Sequence, residues 1–188
     1  EINPLTSDNV WNLRKLPKRL VVLGGGPIGS ELTQCFARFG SQVTQVEMLP
    51  RIMIREDPEI SDRVLQQFRK EGVNVLLNHK AQRFAVEKGE KILYCETSGH
   101  TVRIAFDALL CAVGRIANTT GYGLEELGIP VTKTRTVEVD EFLQTKYPNI
   151  TACGDVAGPY QFTHTAAHTA WYAAVNTLFS GFTKFRAD

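Results

Sequence analysis

The sequence predicts an α/β fold, a parallel sheet flanked by helices with a three-stranded antiparallel meander standing where a crossover helix would be. Three observations predict it. Between Arg19 and Val46 an apolar run, a glycine cluster, an amphipathic helical pattern and a second strand-like stretch follow one another. That order is a βαβ unit, whose crossover is right-handed. After Leu77 the hydrophobic period changes from helical to alternating, as it must when the chain turns from helices to a half-exposed sheet. Ala108 to Val113 then returns to a short unbroken apolar run ending at Gly114, the pattern of a strand buried on both faces.

Taken in order, residues 6–16 (TSDNVWNLRKL) are expected to form a short helix with Ser7 or Asp8 as N-cap, stopped by Pro17. Arg19–Leu23 and Gln42–Val46 are the first two strands. Between them Ile28, Leu32, Cys35, Phe36 and Phe39 recur at helical spacing from Pro27 onward, with Gly40 as the stop. Asp57-Pro58 opens the next helix as an N-cap followed by a proline at the first helical position, with Ile60, Val64, Leu65 and Phe68 on one face. Val73–Leu77 is the third strand. The meander is Phe84–Val86, Ile92–Cys95 and Val102–Phe106, joined at Lys88-Gly89 and Ser98-Gly99. Past Gly114 the pattern loosens to a weak helix at Leu124–Leu127, the segment Val137–Val139 and a strand at Ile150–Cys153 that stops at Gly154-Asp155. A small-residue helix from His164 to Phe179 follows, with Ala166, Ala170, Ala173 and Ala174 suited to close packing on a sheet.

The chain has 188 residues and a formal net charge of +1, with both signs spread along its length. No basic stripe points to nucleic acid, and no apolar run approaches the ~20 residues of a membrane span. No signal peptide is recognisable. The four cysteines, Cys35, Cys95, Cys111 and Cys153, form no C-x-x-C pair and are expected to pack as small hydrophobes. A reducing, cytoplasmic location fits them.

The glycines carry the chemistry. Gly24-x-Gly26-x-x-Gly29 follows a strand and opens a helix, the context in which this spacing binds a dinucleotide in a Rossmann-like unit. Gly24 makes the tight turn, Gly26 lets the backbone approach a pyrophosphate, and Gly29 lets helix and strand pack closely. The N–H groups at the helix start, around Ile28, suit the phosphates. Glu47 closes the second strand, about twenty residues on, where a carboxylate accepts from ribose hydroxyls and repels a 2′-phosphate. Met48 follows with no adjacent arginine, so NAD is favoured over NADP, although Arg51 and Arg55 lie nearby. Glu31, in the first turn of that helix, either complements its dipole or sits toward the nicotinamide. His164 and His168 lie one turn apart without a third ligand nearby, so no metal is expected.

GGGPIGSEL, the meander, LLCAVGRIANT and NITACGDVAGPYQFTHTAA occur in one order. Together they resemble the pyridine nucleotide–disulfide oxidoreductases, FAD enzymes such as lipoamide dehydrogenase, glutathione reductase and mercuric reductase. The resemblance implies an FAD/NAD(P)-binding fold, with residues 1–115 as the NAD(P) domain and residues 116–188 as a returning part of an FAD domain. It puts Gly114 close to the NAD ribose or nicotinamide and makes Asp155 an acceptor for the flavin ribitol. Gln161 would stand where flavin and nicotinamide meet, and Thr163 would open a helix aimed at the flavin. Ala117 replaces the proline usual in the AxGRxPNT-like segment. An upstream FAD fingerprint, a C-x-x-x-x-C dithiol and a C-terminal interface domain are absent from these residues. The expectation is therefore a central piece of a longer, homodimeric, NAD(P)H-linked flavoenzyme, with no catalytic residue of its own and the rest of the FAD and interface domains as its partners. A dithiol-free, NADH oxidase-like flavoenzyme and a freestanding NAD(H) sensor stay open as alternatives.

Overall fold

In the computed structural model, residues 2–179 and 185–187 are described. The chain divides into two compact units, 1–114 and 115–188.

In the first unit, β1 (Arg19–Leu23), α1 (Pro27–Arg38), β2 (Gln42–Val46), α2 (Pro58–Lys70) and β3 (Asn74–Leu76) precede the meander β4 (Lys80–Glu87), β5 (Glu90–Thr97) and β6 (His100–Phe106). The last strand is β7 (Ala108–Cys111). The parallel sheet runs β3-β2-β1-β7, and the antiparallel sheet runs β4-β5-β6. Alternation along β1 sorts the core into two clusters. Leu20 and Val22 pack with Phe36 of α1, Phe68 of α2, Ile52 and Val43. Val21 and Leu23 pack with Leu93, Cys95 and Phe106 of the meander. The unit thus has three layers, with helices on one face of the parallel sheet and the meander on the other. Arg19 fastens the layers at one end, donating to Asp107 (2.8 Å) and Glu90 (2.7 Å).

Local chemistry sets the element ends. Asp57 caps α2 by accepting from the Glu59 N–H at 2.8 Å, with Pro58 at the first helical position. Both hairpins turn on two residues with positive φ, Lys88-Gly89 and Ser98-Gly99.

Several expectations are corrected. Residues 6–16 are not a helix; only Val10–Asn12 form a single 3-10 turn. The side chains there compete with the backbone: Asn9 accepts from the Thr6 N–H at 2.7 Å, and Thr6 Oγ1 accepts from the Asp8 N–H. Just before that segment Leu5 lies beside β7, trading hydrogen bonds with Leu109 and Cys111. The buried stripe of α1 is Gly29, Ser30, Thr33 and Phe36, while Cys35 and Phe39 are exposed. Small polar residues let this helix approach the sheet closely, which a hydrophobicity pattern cannot register. Ile60 of α2 is likewise exposed, and Ser61, whose hydroxyl donates to the Ile52 carbonyl, is buried in its place.

In the second unit, Leu124–Leu127 form a turn rather than a helix, and Ile150–Cys153 do not form a strand. Among the described residues, pairing there is limited to the isolated bridges Val131↔Val137 and Gln144↔Thr151. Leu124, Ile129 and Val137 make its apolar cluster. The final helix, α3 (Thr163–Leu178), buries Thr169, Ala173 and Asn176, while Ala170 and Ala174 face outward. The polar pair is inside because each holds a loop. Thr169 Oγ1 accepts from the Gly154 N–H at 2.9 Å, and Asn176 donates to the carbonyls of Phe142 and Phe185. Among the described residues no helix is long and apolar enough to cross a membrane.

Candidate functional site

The carboxyl ends of β1, β2 and β7 meet around the glycine turn, the edge of a parallel sheet where ligands bind. Each glycine there answers a different demand. Gly24 has φ +102, and a Cβ on it would lie 2.3 Å from the Ala112 carbonyl oxygen. A Cβ on Gly29 would lie 2.3 Å from the carbonyl oxygen of Gly24. Both positions are closed to side chains by the chain's own backbone. At Gly26 a Cβ would meet nothing within 4 Å, and the backbone is an ordinary φ −72, ψ −179. Neither packing nor backbone conformation requires glycine there.

Gly26 is also the N-cap of α1, which carries no side-chain cap, and Pro27 removes one of the first N–H groups. The leading N–H groups of a helix have no partner within it, so those of Ile28 and Gly29 are the ones an anion would meet. Glu31 is exposed and lies beyond the first turn, which holds no acidic residue. This corrects its expected position, and dipole complementarity, which fades after the first turn, loses its basis.

Glu47 directly follows β2 and is buried, at 8% exposure. Its Oε2 accepts from the Gly25 N–H at 2.6 Å, and its Oε1 accepts from the Leu49 N–H at 2.8 Å. The carboxylate therefore braces the glycine turn and the start of the next loop, while each oxygen keeps a lone pair for a further donor. The loop after Glu47 folds back, and the Met53 N–H donates to the Gly25 carbonyl at 2.6 Å. Arg51 turns Nη2 to the Ile54 carbonyl. Gly114, with φ +139, is exposed at the end of the segment that continues β7.

The remaining predicted residues belong to the second unit. Asp155 stands in a 3-10 turn, Gly154–Val156, and its Oδ2 pairs with Arg115 Nη2 at 2.7 Å. Gln161 is half-buried and Thr163 is exposed at the first position of α3, whose N-cap, Phe162, offers no side-chain hydrogen bond. Among the described residues no cluster of His, Cys, Asp and Glu suits a metal ion. The two groups of predicted residues thus divide by unit, seven in residues 1–114 and three beyond.

A family model described as pyridine nucleotide-disulphide oxidoreductase matches residues 1–171. The chain belongs to that family. Among its relatives, a mercuric reductase from Streptomyces lividans is 39% identical over 180 residues, covering 95% of this chain and 37% of the relative. A dihydrolipoyl dehydrogenase from Mycobacterium leprae (strain TN) is 34% identical over 164 residues, covering 87% and 35%. In structure, the HOCl-induced flavoprotein disulfide reductase RclA from Escherichia coli superposes with a TM-score of 0.87 at 33% identity, covering all of this chain and 42% of that one. The chain spans about a third of the length of the curated relatives it matches. The likeness bears out the Rossmann-like α/β fold, and this family works with a flavin and a pyridine nucleotide.

Sequence reasoning missed three partners of the site. Gln45 and Ser30 lie directly behind the glycine turn, and Arg115 holds Asp155. Gln45, two residues before Glu47 and so on the same face of the strand end, was the one legible signal among them.

Proposed function

We propose that this chain is the nicotinamide-dinucleotide-binding portion of an FAD-dependent, NAD(P)H-linked oxidoreductase. Residues 1–115 hold the dinucleotide, and residues 116–188 contribute part of the flavin domain. The observation that carries the reading is the open space at Gly26. Two of the three fingerprint glycines are demanded by the chain itself, and the third is explained by a ligand that needs bare backbone. The pyrophosphate lies against Gly24, Gly26, Ile28 and Gly29, where uncapped N–H groups and the positive end of α1 offset its charge. Glu47 accepts from the adenosine ribose hydroxyls and opposes a 2′-phosphate, so the cofactor is NAD in preference to NADP. Glu31 and Gly114 stand on the nicotinamide side. Asp155, Gln161 and Thr163 contact the flavin, and Arg115 orients Asp155 for that contact. Bound there, the nicotinamide ring supplies a hydride to the flavin or takes one from it; this chain's residues bind and orient it.

Calorimetric titration of the chain with NADH and NADPH tests the reading. NADH is expected to bind and NADPH to bind more weakly. Glu47→Ala is expected to lose roughly tenfold or more in NADH affinity, by removing a ribose acceptor and the brace on Gly25, with a smaller loss for NADPH. An absence of heat with both cofactors, or unchanged NADH affinity in Glu47→Ala, overturns it.

A further inference from the structure

A run of three glycines is the least restrained backbone a chain can make, yet a binding loop gains affinity when its donors are already held in place. We infer that Gln45 is the positioning residue of this loop. With Glu47 it clamps the peptide group between Gly24 and Gly25 at both polar atoms, leaving the Gly26 N–H as a further donor for a pyrophosphate beside those of Ile28 and Gly29. The inference rests on the dinucleotide reading above.

Gln45 and Glu47 are two residues apart at the end of β2, so their side chains leave on the same face. Gln45 Nε2 donates to the Gly24 carbonyl at 3.1 Å, and Glu47 Oε2 accepts from the Gly25 N–H at 2.6 Å. Those two backbone groups belong to one planar peptide unit. Holding both ends of that plane stops its rotation. Gln45 Nε2 also reaches Ser30 Oγ at 3.3 Å, and the Ser30 hydroxyl donates to the Gly25 carbonyl at 3.3 Å. The same carbonyl takes the Met53 N–H, so the following peptide is held as well. Of the three consecutive glycine N–H groups, that of Gly24 donates to the Val46 carbonyl at 2.9 Å and that of Gly25 to Glu47. That of Gly26 has no partner among the described residues.

A second observation points the same way. Gln45 is fully buried, at 0% exposure, and its Oε1 has no hydrogen-bond partner. An unpaired buried carbonyl costs stability, and a methionine would fill the same space without that cost. Where a buried group breaks the local rule, the compensation is sought in function. Here it is the clamp.

The test compares the chain with Gln45→Met and Ser30→Ala, using NADH as the probe in calorimetry together with melting temperature and amide hydrogen exchange. Gln45→Met is expected to melt at or above the parent temperature. It should bind NADH about tenfold more weakly and exchange the Gly25 amide at least tenfold faster, with the strand amides unchanged. Ser30→Ala is expected to lose about threefold in affinity. Unchanged NADH affinity in a folded Gln45→Met overturns the inference, as does a loss that tracks a lower melting temperature and uniformly faster exchange. If Gln45→Met does not fold, unchanged affinity in Ser30→Ala overturns it. A parent chain that fails to bind NADH overturns the dinucleotide reading itself, and the clamp with it. A parent that binds alongside a Gln45→Met that binds equally overturns the clamp alone.

Discussion

Replacing Gly29 by alanine puts a Cβ 2.3 Å from the carbonyl oxygen of Gly24, whereas the same change at Gly26 puts a Cβ into open space. One methyl group is added in each case, at positions less than one helical turn apart, and the consequences are expected to separate completely. At Gly29 the contact falls short of an ordinary van der Waals distance by more than an ångström, and the atom in the way is backbone. Helix α1 must back away from the turn, an overpacking cost of about 3 kcal/mol. For a unit of this size that lowers the melting temperature by roughly 10 °C. At Gly26 the backbone, φ −72 and ψ −179, is one alanine adopts freely, so the stability cost is expected to be no more than about 1 kcal/mol, that of alanine at an N-cap. The added methyl instead occupies the surface on which a pyrophosphate would lie, and NADH affinity is expected to fall roughly tenfold or more. Differential scanning calorimetry and isothermal titration on the two variants read both quantities. The reasoning is refuted if Gly26→Ala binds NADH like the parent, or if it loses as much stability as Gly29→Ala.

Two further outcomes follow from charge and burial. Glu71 accepts from Arg38, which most strongly holds its carboxyl down, and from Gln67, so that it titrates at about 2. A depressed carboxylate stabilises the fold fully above its unfolded value and loses that contribution as it is protonated. Urea midpoints of the parent are therefore expected to decline between about pH 4.5 and about 2 more steeply than those of Glu71→Gln; parallel curves would remove Glu71 from the acid transition. Burial pushes the Cys95 thiol up to about 11, and Cys35 is exposed on α1. A thiol reagent at neutral pH is expected to label Cys35 first and Cys95 only on unfolding, and mass spectrometry of partially labelled protein that finds Cys95 modified early would contradict this.

Much of the first unit was legible because its signals are short-range. Strands β1 and β2 and the start of α2 were read to the residue, since an apolar run ending at glycine in β1, the β-branched residues Val43, Thr44 and Val46 after the Gly40 stop in β2, and an Asp-Pro start act through neighbours in the chain. The meander was legible from its alternation and its two glycine turns, although its strands run longer than the apolar positions alone suggested. The failures share a cause. Residues 6–16 had a helical composition, but Thr6 and Asn9 spend their side chains on nearby backbone. In α1 and α3 the faces that look inward carry Ser30, Thr33, Thr169 and Asn176, because hydrogen bonds to distant loops or close approach to the sheet made polar residues the better fit. In the second unit the segment before Gly154-Asp155 read as a strand, and without a ladder beside it among the described residues it is an extended stretch with one bridge.

The sequence by itself determined the order of elements, the parallel sheet with its meander, and the spacing of three glycines at the head of a helix, because each depends on residues close together along the chain. It could not say which of those glycines the protein needs for itself. That was decided by where Ala112 and Gly24 bring their carbonyl oxygens, a matter of how β7 and α1 pack on β1. Nor could it show that Gln45 and Glu47 grip the two ends of one peptide group. Those contacts span about twenty residues of chain, and only the close packing of a folded core fixes atoms to within a hydrogen bond over such a separation.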